Sequence, residues 1–470
     1  MLNDFFILLK HEMMLTIIIF LLLFVKLGSK QRSNENILTL VNILLVINFA
    51  AGFFMNSTGT LFDDMFKTND LIAFEKNILN LGTLLISFLG YAWLKNHKHV
   101  LEFYMLLLST LLGMFFMISS NNLLMFYLGL ELSTIPLAAI CNFDLDRKTS
   151  SEAAMKLIIS SAFSSGLLLF GISLFYGTTG TLSFAELPAK LNGSDLQLFA
   201  FILLLAGFGF KISIVPFHLW TADVYEGSPA TVTAYLSVIS KAAFIFVFTA
   251  VLYNVFTGLS QTWYNILYLL IVLTMLTGNL FAIRQNNLKR LLAFSSIAQV
   301  GFILVGISGS NQTGSASTIY FLLIYIFSNL AAFAVIVTIS AATGKETIED
   351  YKGLYKTNKL LTWVLTLSLF SLAGVPPTAG FFGKFFLIMS GASKGNYVLI
   401  TIAALNIVVS FYYYLKVVKA MFMDENENPI EKISIAVLPK TAMIICIAGM
   451  LSIGFIGWLY DHIYSLSFGF

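Results

Sequence analysis

Apolar runs of about 20 residues succeed one another along the whole chain, each ended by a short polar connection, and this pattern restricts the fold more than any other feature. A helix needs that length to cross the hydrocarbon of a bilayer while closing its backbone hydrogen bonds within itself. A transmembrane β-barrel would need alternating segments of about ten residues, and these are absent. Composition agrees: of 470 residues, 58% are hydrophobic and 11% charged, against roughly 25% charged in a soluble domain. The chain reads as an all-α integral membrane protein.

The runs give about fourteen spans, beginning near Phe5, Ile37, Phe74, Phe103, Leu123, Ala153, Phe199, Pro229, Trp263, Leu291, Thr318, Leu360, Tyr397 and Thr441. Sorting the connections onto alternate sides puts seventeen basic residues on one side, among them Lys26, Lys30, Arg32, Arg147, Lys289 and Arg290. Only Lys67, Lys190 and Lys394 fall on the other. Such an excess marks the cytoplasmic side, so both termini are expected outside the cytoplasm. The first run lacks a basic leader and a small-residue cleavage site and is expected to remain as a helix.

Seven lysines fall outside these connections. Lys10, Lys76 and Lys416 lie toward helix ends, where a lysine can snorkel to the headgroups. Lys211, Lys241 and Lys384 lie deep in their spans, and Lys156 is intermediate. A charge at a helix centre costs about 3 kcal/mol on insertion scales, so such residues face a polar interior and mark an ion path. Glu131 lies mid-span with no basic residue on its own helix, so an ion-pair partner from another helix is expected. Glu12 is nearer an end, and local pairing with Lys10 or His11 suffices for it. Cys141 and Cys446 sit in apolar runs and read as small buried hydrophobes.

Two spans are interrupted. Pro216 follows Lys211 and precedes His218, and a proline both lacks an amide hydrogen and clashes with the carbonyl four residues back, so the helix must kink or break. In the second, Pro376 and Pro377 lie between Gly374 and Gly380, with Lys384 just beyond. Paired Gly/Pro interruptions in two halves point to inverted-repeat transporters with an ion site near the midplane. A lysine beside water admitted by such a break can work as a proton relay, and His218 is a secondary candidate.

At these residues the chain resembles the antiporter-like subunits of respiratory complex I. The resemblance rests on GFKISIVPFHLWTADVYEGSPATVTAYLSVISKAAF (Gly209 to Phe244), NNLKRLLAFSSIAQVGFILVG (Asn286 to Gly306) and LAGVPPTAGFFGKFFLI (Leu372 to Ile388). Lysine at 384, where the subunit M type carries glutamate, favours the subunit N type. The resemblance implies fourteen helices with two inverted five-helix repeats at about 103–256 and 263–422, a three-helix segment at 1–102, and a loop and last helix at 423–470. It implies a proton relay of Glu131, Lys211, Lys241 and Lys384, in which Lys211 is the lysine that pairs with Glu131, and it makes Lys156 a sixth-helix lysine of this subunit type.

No dinucleotide turn, iron–sulfur cysteine set or haem-attachment motif accompanies these residues. No cofactor or metal is therefore expected in this chain; the resemblance places NADH, flavin, iron–sulfur clusters and quinone in partner subunits. The implied partners are other membrane subunits, including neighbouring antiporter-like ones, within a bacterial inner membrane, with no nucleic acid. A subunit of a multi-subunit cation/proton antiporter is the alternative, and a membrane scaffold is the bland third, disfavoured by three deep lysines.

Overall fold

All fourteen expected segments are helical in the structure, a computed structural model that describes residues 2–28, 33–54, 57–309 and 311–469. Lys30 and Arg32 lie outside the described residues. In chain order the helices are Lys10–Leu27, Asn34–Ala51, Asp70–Leu89, Val100–Ile118, Leu123–Cys141, Lys148–Thr179, a broken seventh, Ala230–Asn254, Ser260–Ile283, Leu288–Ile307, Asn311–Thr343, a broken twelfth, Tyr397–Phe422 and Val437–Ser452. Twelve helices among the described residues are long and apolar enough to span a bilayer. The first, which carries Lys10, Glu12 and Lys26, and the twelfth, split into two shorter apolar pieces, complete the fourteen.

Asparagine and serine caps set many of the starts. Ser33, Asn69, Asn122, Asn287 and Asn396 each accept a backbone amide of the first turn, satisfying donors that have no intrahelical partner. Between the second and third helices lies a feature the apolar pattern does not announce, a hairpin of Gly59–Leu61 and Phe66–Thr68 with left-handed backbone at Phe62, Asp63 and Asp64. It sits beside the start of the third helix and brings the Phe66 ring 5.1 Å from the Lys76 ammonium. Lys76 therefore does not snorkel; it is fully buried and pairs with Glu12 on the first helix. Local pairing of Glu12 with Lys10 or His11 is thereby replaced by an interhelical contact.

The fifth and sixth helices and the tenth and eleventh carry matching details. Asn122 caps the fifth helix and bridges to Ser183, beyond the 32-residue sixth; Asn287 caps the tenth and bridges to Thr347, beyond the 33-residue eleventh. The flanking backbone bonds repeat as well: Leu123 N to Leu182 O and Phe184 N to Asn121 O in one pair of helices, Leu288 N to Glu346 O and Ile348 N to Asn286 O in the other. The eighth, tenth and eleventh helices are almost wholly buried and form the centre of the bundle.

Both interruptions are real breaks. The seventh helix runs Asp195–Ile212, stops at Ser213 with φ +66°, and resumes at Leu219–Gly227. The twelfth runs Lys359–Ala373, stops at Gly374 with φ +88°, and resumes at Ala379–Ala392. Freed backbone groups in a membrane need protein or water partners. The Phe210 carbonyl accepts from the Trp220 indole at 3.0 Å, and the Val215 amide donates to Thr274 Oγ1 at 3.1 Å. At the other break, Leu372 O accepts from Gln299 Nε2 at 2.9 Å and Ala373 O from Lys384 Nζ at 3.2 Å.

Candidate functional site

The fifth helix carries Glu131, and its backbone runs unusually close to the fourth. A Cβ on Gly129 would lie 2.6 Å from Met117 N, so only glycine permits that approach. Glu131 is half-buried, and its Oε1 is shielded without a hydrogen-bond partner.

Lys211 ends the first piece of the seventh helix and is 7% exposed. Its ammonium donates to Thr134 Oγ1 at 2.8 Å and Ser161 Oγ at 2.6 Å. The direct ion pair expected with Glu131 is not formed. Thr134, three residues beyond Glu131 on the same helix face, takes the contact instead, while Glu131 remains near enough for the two charges to interact. The Thr134 hydroxyl donates to Leu130 O, which leaves its oxygen free to accept from the lysine.

Lys241 follows directly on a π-helical turn, Leu236–Ser240, in the middle of the eighth helix. Such turns widen the backbone and recur at functional sites. Lys241 is 2% exposed, donates to Ser296 Oγ at 2.7 Å and lies 5.4 Å from the Tyr225 ring centre. Ser296 repeats the arrangement of Thr134, since its own hydroxyl donates to Ala293 O at 2.7 Å. Glu131 and Ser296 stand nine residues after the matched capping asparagines, Asn122 and Asn287. The tenth helix thus holds a hydroxyl at the spacing where the fifth holds a carboxylate.

Between Lys241 and Lys384 the interior is polar. Gln299 Nε2 reaches the Tyr414 hydroxyl at 3.3 Å, Tyr414 meets Ser295 at 2.5 Å, and Ser328 meets Ser371 at 2.7 Å. The Tyr225 and Tyr325 hydroxyls are buried in the same region, beside Ser237 and Ser296. Sequence reading missed these groups, because single serines and tyrosines in apolar helices carry no distinguishing pattern. Lys384 is 2% exposed and, among the described residues, bonds only to the Ala373 carbonyl, with the Phe302 ring 4.7 Å away.

Two expected participants lie elsewhere. Lys156 is 41% exposed and pairs with Glu152 at 2.8 Å and Asp223 at 2.7 Å. Arg290 ties Asp223 and Glu226 into the same cluster, both at 2.8 Å, so Lys156 belongs to a charged rim and not to the deep line. His218 sits in the break, 8% exposed, with Nδ1 unpartnered; it bonds to neither Lys211 nor Lys241. Among the described residues no cluster of His, Cys, Asp or Glu has the makings of a metal site.

Residues 120–410 match the family described as NADH:quinone oxidoreductase/Mrp antiporter, TM. NADH-quinone oxidoreductase subunit N of Phocaeicola vulgatus is 46% identical over 455 residues, covering 96% of each chain. The subunit N of Pelagibacter ubique is 38% identical over 421 residues, covering 87% of this chain and 88% of its own. Among solved structures, a chain of respiratory complex I from Thermus thermophilus with bound Aureothin superposes with a TM-score of 0.81 at 29% identity, covering 95% of this chain and 96% of that one. A chain of the Mrp complex from Dietzia sp. DQ12-45-1b shares the fold, with a TM-score of 0.83 at 20% identity over 98% and 95%. This chain belongs to the subunit N family of NADH-quinone oxidoreductases, antiporter-like membrane subunits of complex I.

Proposed function

We propose that this subunit translocates protons along Glu131, Lys211, Lys241 and Lys384, driven by quinone reduction elsewhere in the complex. One observation carries the reading: all three deep lysines are buried, and each bonds to neutral oxygen and not to a carboxylate. A buried ammonium paired to a carboxylate is held charged, because losing the proton strands the other charge. A lysine held by hydroxyls and carbonyls can give up and regain a proton without stranding a partner.

The matched helix groups support two repeats, 103–256 and 263–422, flanked by a three-helix segment at 1–102 and a tail at 423–470. In that reading Lys211 and Lys241 belong to the first repeat and Lys384 to the second. The Lys241–Ser296 bond then crosses between them. Lys156 and the Asp223–Arg290 cluster form a charged rim at one mouth, and His218 lines the break. NADH, flavin, iron–sulfur clusters and quinone belong to partner subunits. Neighbouring antiporter-like subunits flank this one in a bacterial inner membrane, with both termini on the non-cytoplasmic face.

The test is quinone-driven proton uptake in inside-out vesicles bearing the assembled complex with Lys384→Ala. Loss of uptake at matched assembly supports the relay. Flux that depends on Na⁺ in place of quinone turnover would instead favour a cation/proton antiporter.

A further inference from the structure

The first three helices enclose a second set of charges that the lysine line does not use. Lys76 Nζ lies 2.5 Å from Glu12 Oε1, and neither side chain is more than 3% exposed. The Phe66 and Phe115 rings flank the ammonium at 5.1 and 5.9 Å. Glu75, the residue before Lys76, is 4% exposed and has no hydrogen bond to a described side chain, though its charge and that of Lys76 act on each other. Lys10, His11 and Asp70 complete the titratable groups around the pair, with His11 Nε2 buried and unpartnered.

Glu75 opens onto a cavity of about 50 Å³ that it shares with Lys67, Asn69, Ser120, Asn121 and Asn254. One water needs roughly 10–15 Å³ of such space and two to four polar partners, so the cavity has room and polarity for more than one. From Lys76 a polar face runs along the third helix through Asn80, Thr83 and Ser87, spaced four, three and four residues apart and all buried. It covers about 16 Å at 1.5 Å per residue. Asn48 donates to Asn80 at 2.7 Å, while Ser87 donates to Asn42 at 2.6 Å and meets the Tyr104 hydroxyl at 2.7 Å.

Hydrogen bonds between amides and hydroxyls suffice to hold membrane helices together, so helix adhesion accounts for the asparagines and serines. It does not account for a buried carboxylate with no hydrogen bond to a described side chain, whose insertion is costly and which by default marks an ion site. We propose that the N-terminal segment carries a proton-binding site of its own: Glu75 takes the proton through the cavity, the Glu12–Lys76 pair fixes the charge beside it, and the polar face of the third helix leads inward. This site stands whether or not the lysine line pumps.

Infrared difference spectra of the purified, fully assembled complex between acidic and neutral buffer provide the test. The proposal predicts that the wild-type spectrum holds a protonated-carboxyl component that is lost in Glu75→Gln and displaced in frequency in Glu75→Asp. A Glu75→Gln spectrum identical to wild type overturns the proposal. Where Glu75→Gln does not assemble, Glu75→Asp carries the test, and a signal unmoved by that change overturns it equally.

Discussion

Lys241 Nζ donates to Ser296 Oγ across 2.7 Å, joining the eighth helix to the tenth at the most buried part of the bundle. The Ser296 proton is committed to Ala293 O, so the serine serves the lysine only as an acceptor. Ser296→Ala should leave the complex assembled and remove about 1–3 kcal/mol of stabilisation from the charged lysine. Proton pumping should fall by about tenfold or somewhat more, as measured by dye quenching in vesicles at matched subunit content. Lys241→Ala removes the proposed titrating group itself, and pumping should fall further, toward the loss of about 10²- to 10⁴-fold typical of a missing proton-transfer group.

Lys211 and Thr134 are in direct contact, whereas Lys211 and Glu131 are not. A mutant cycle of Lys211→Met with Thr134→Val should therefore show strong coupling, about 0.5–3 kcal/mol when pumping rates are converted to free energy. The cycle with Glu131→Gln should show less. Equal and additive losses in the first cycle would separate Thr134 from the relay.

Gly374 ends the first piece of the twelfth helix at φ +88°, and a Cβ there would sit 3.1 Å from Lys384 Cδ. Gly374→Ala should cost about 1–2 kcal/mol from the left-handed backbone alone, seen as a lower melting temperature of the purified complex. It should also displace Lys384 and lower pumping, while Gly395→Ala, equally left-handed but in open space, should lower stability and leave pumping unchanged.

Lys156 is partly exposed, and its pairs with Glu152 and Asp223 are those of a surface network. Exposed ion pairs contribute about 0–1 kcal/mol and are screened by salt. Lys156→Ala should reduce pumping far less than Lys241→Ala, with the deficit shrinking as salt is raised. A loss as deep as that of Lys241→Ala would return Lys156 to the relay.

The breaks were legible because proline and glycine act on their own backbone: Pro216 and Gly374 give away both interruptions without knowledge of any neighbour. Lys211, Lys241 and Lys384 were legible for a similar reason, since a charge deep in an apolar run is improbable without a polar surrounding. Their partners were not. Thr134, Ser161 and Ser296 lie 77, 50 and 55 residues from the lysines they meet, and no periodicity within one helix reports which face of another it touches. Lys76 was misread for a related reason. Its place in the second turn suggests a headgroup contact, but the hairpin before the third helix lies over it, and Glu12 meets it from 64 residues away.

Pumping measured together with reductase activity in vesicles carrying Lys211→Met, Lys241→Ala and Lys384→Ala, each at wild-type assembly, tests the central claim most directly. Each of the three should lose most of its proton translocation while retaining the subunit in the complex. Wild-type translocation in any of the three would remove that lysine from the path, and wild-type translocation in all three would contradict the relay itself.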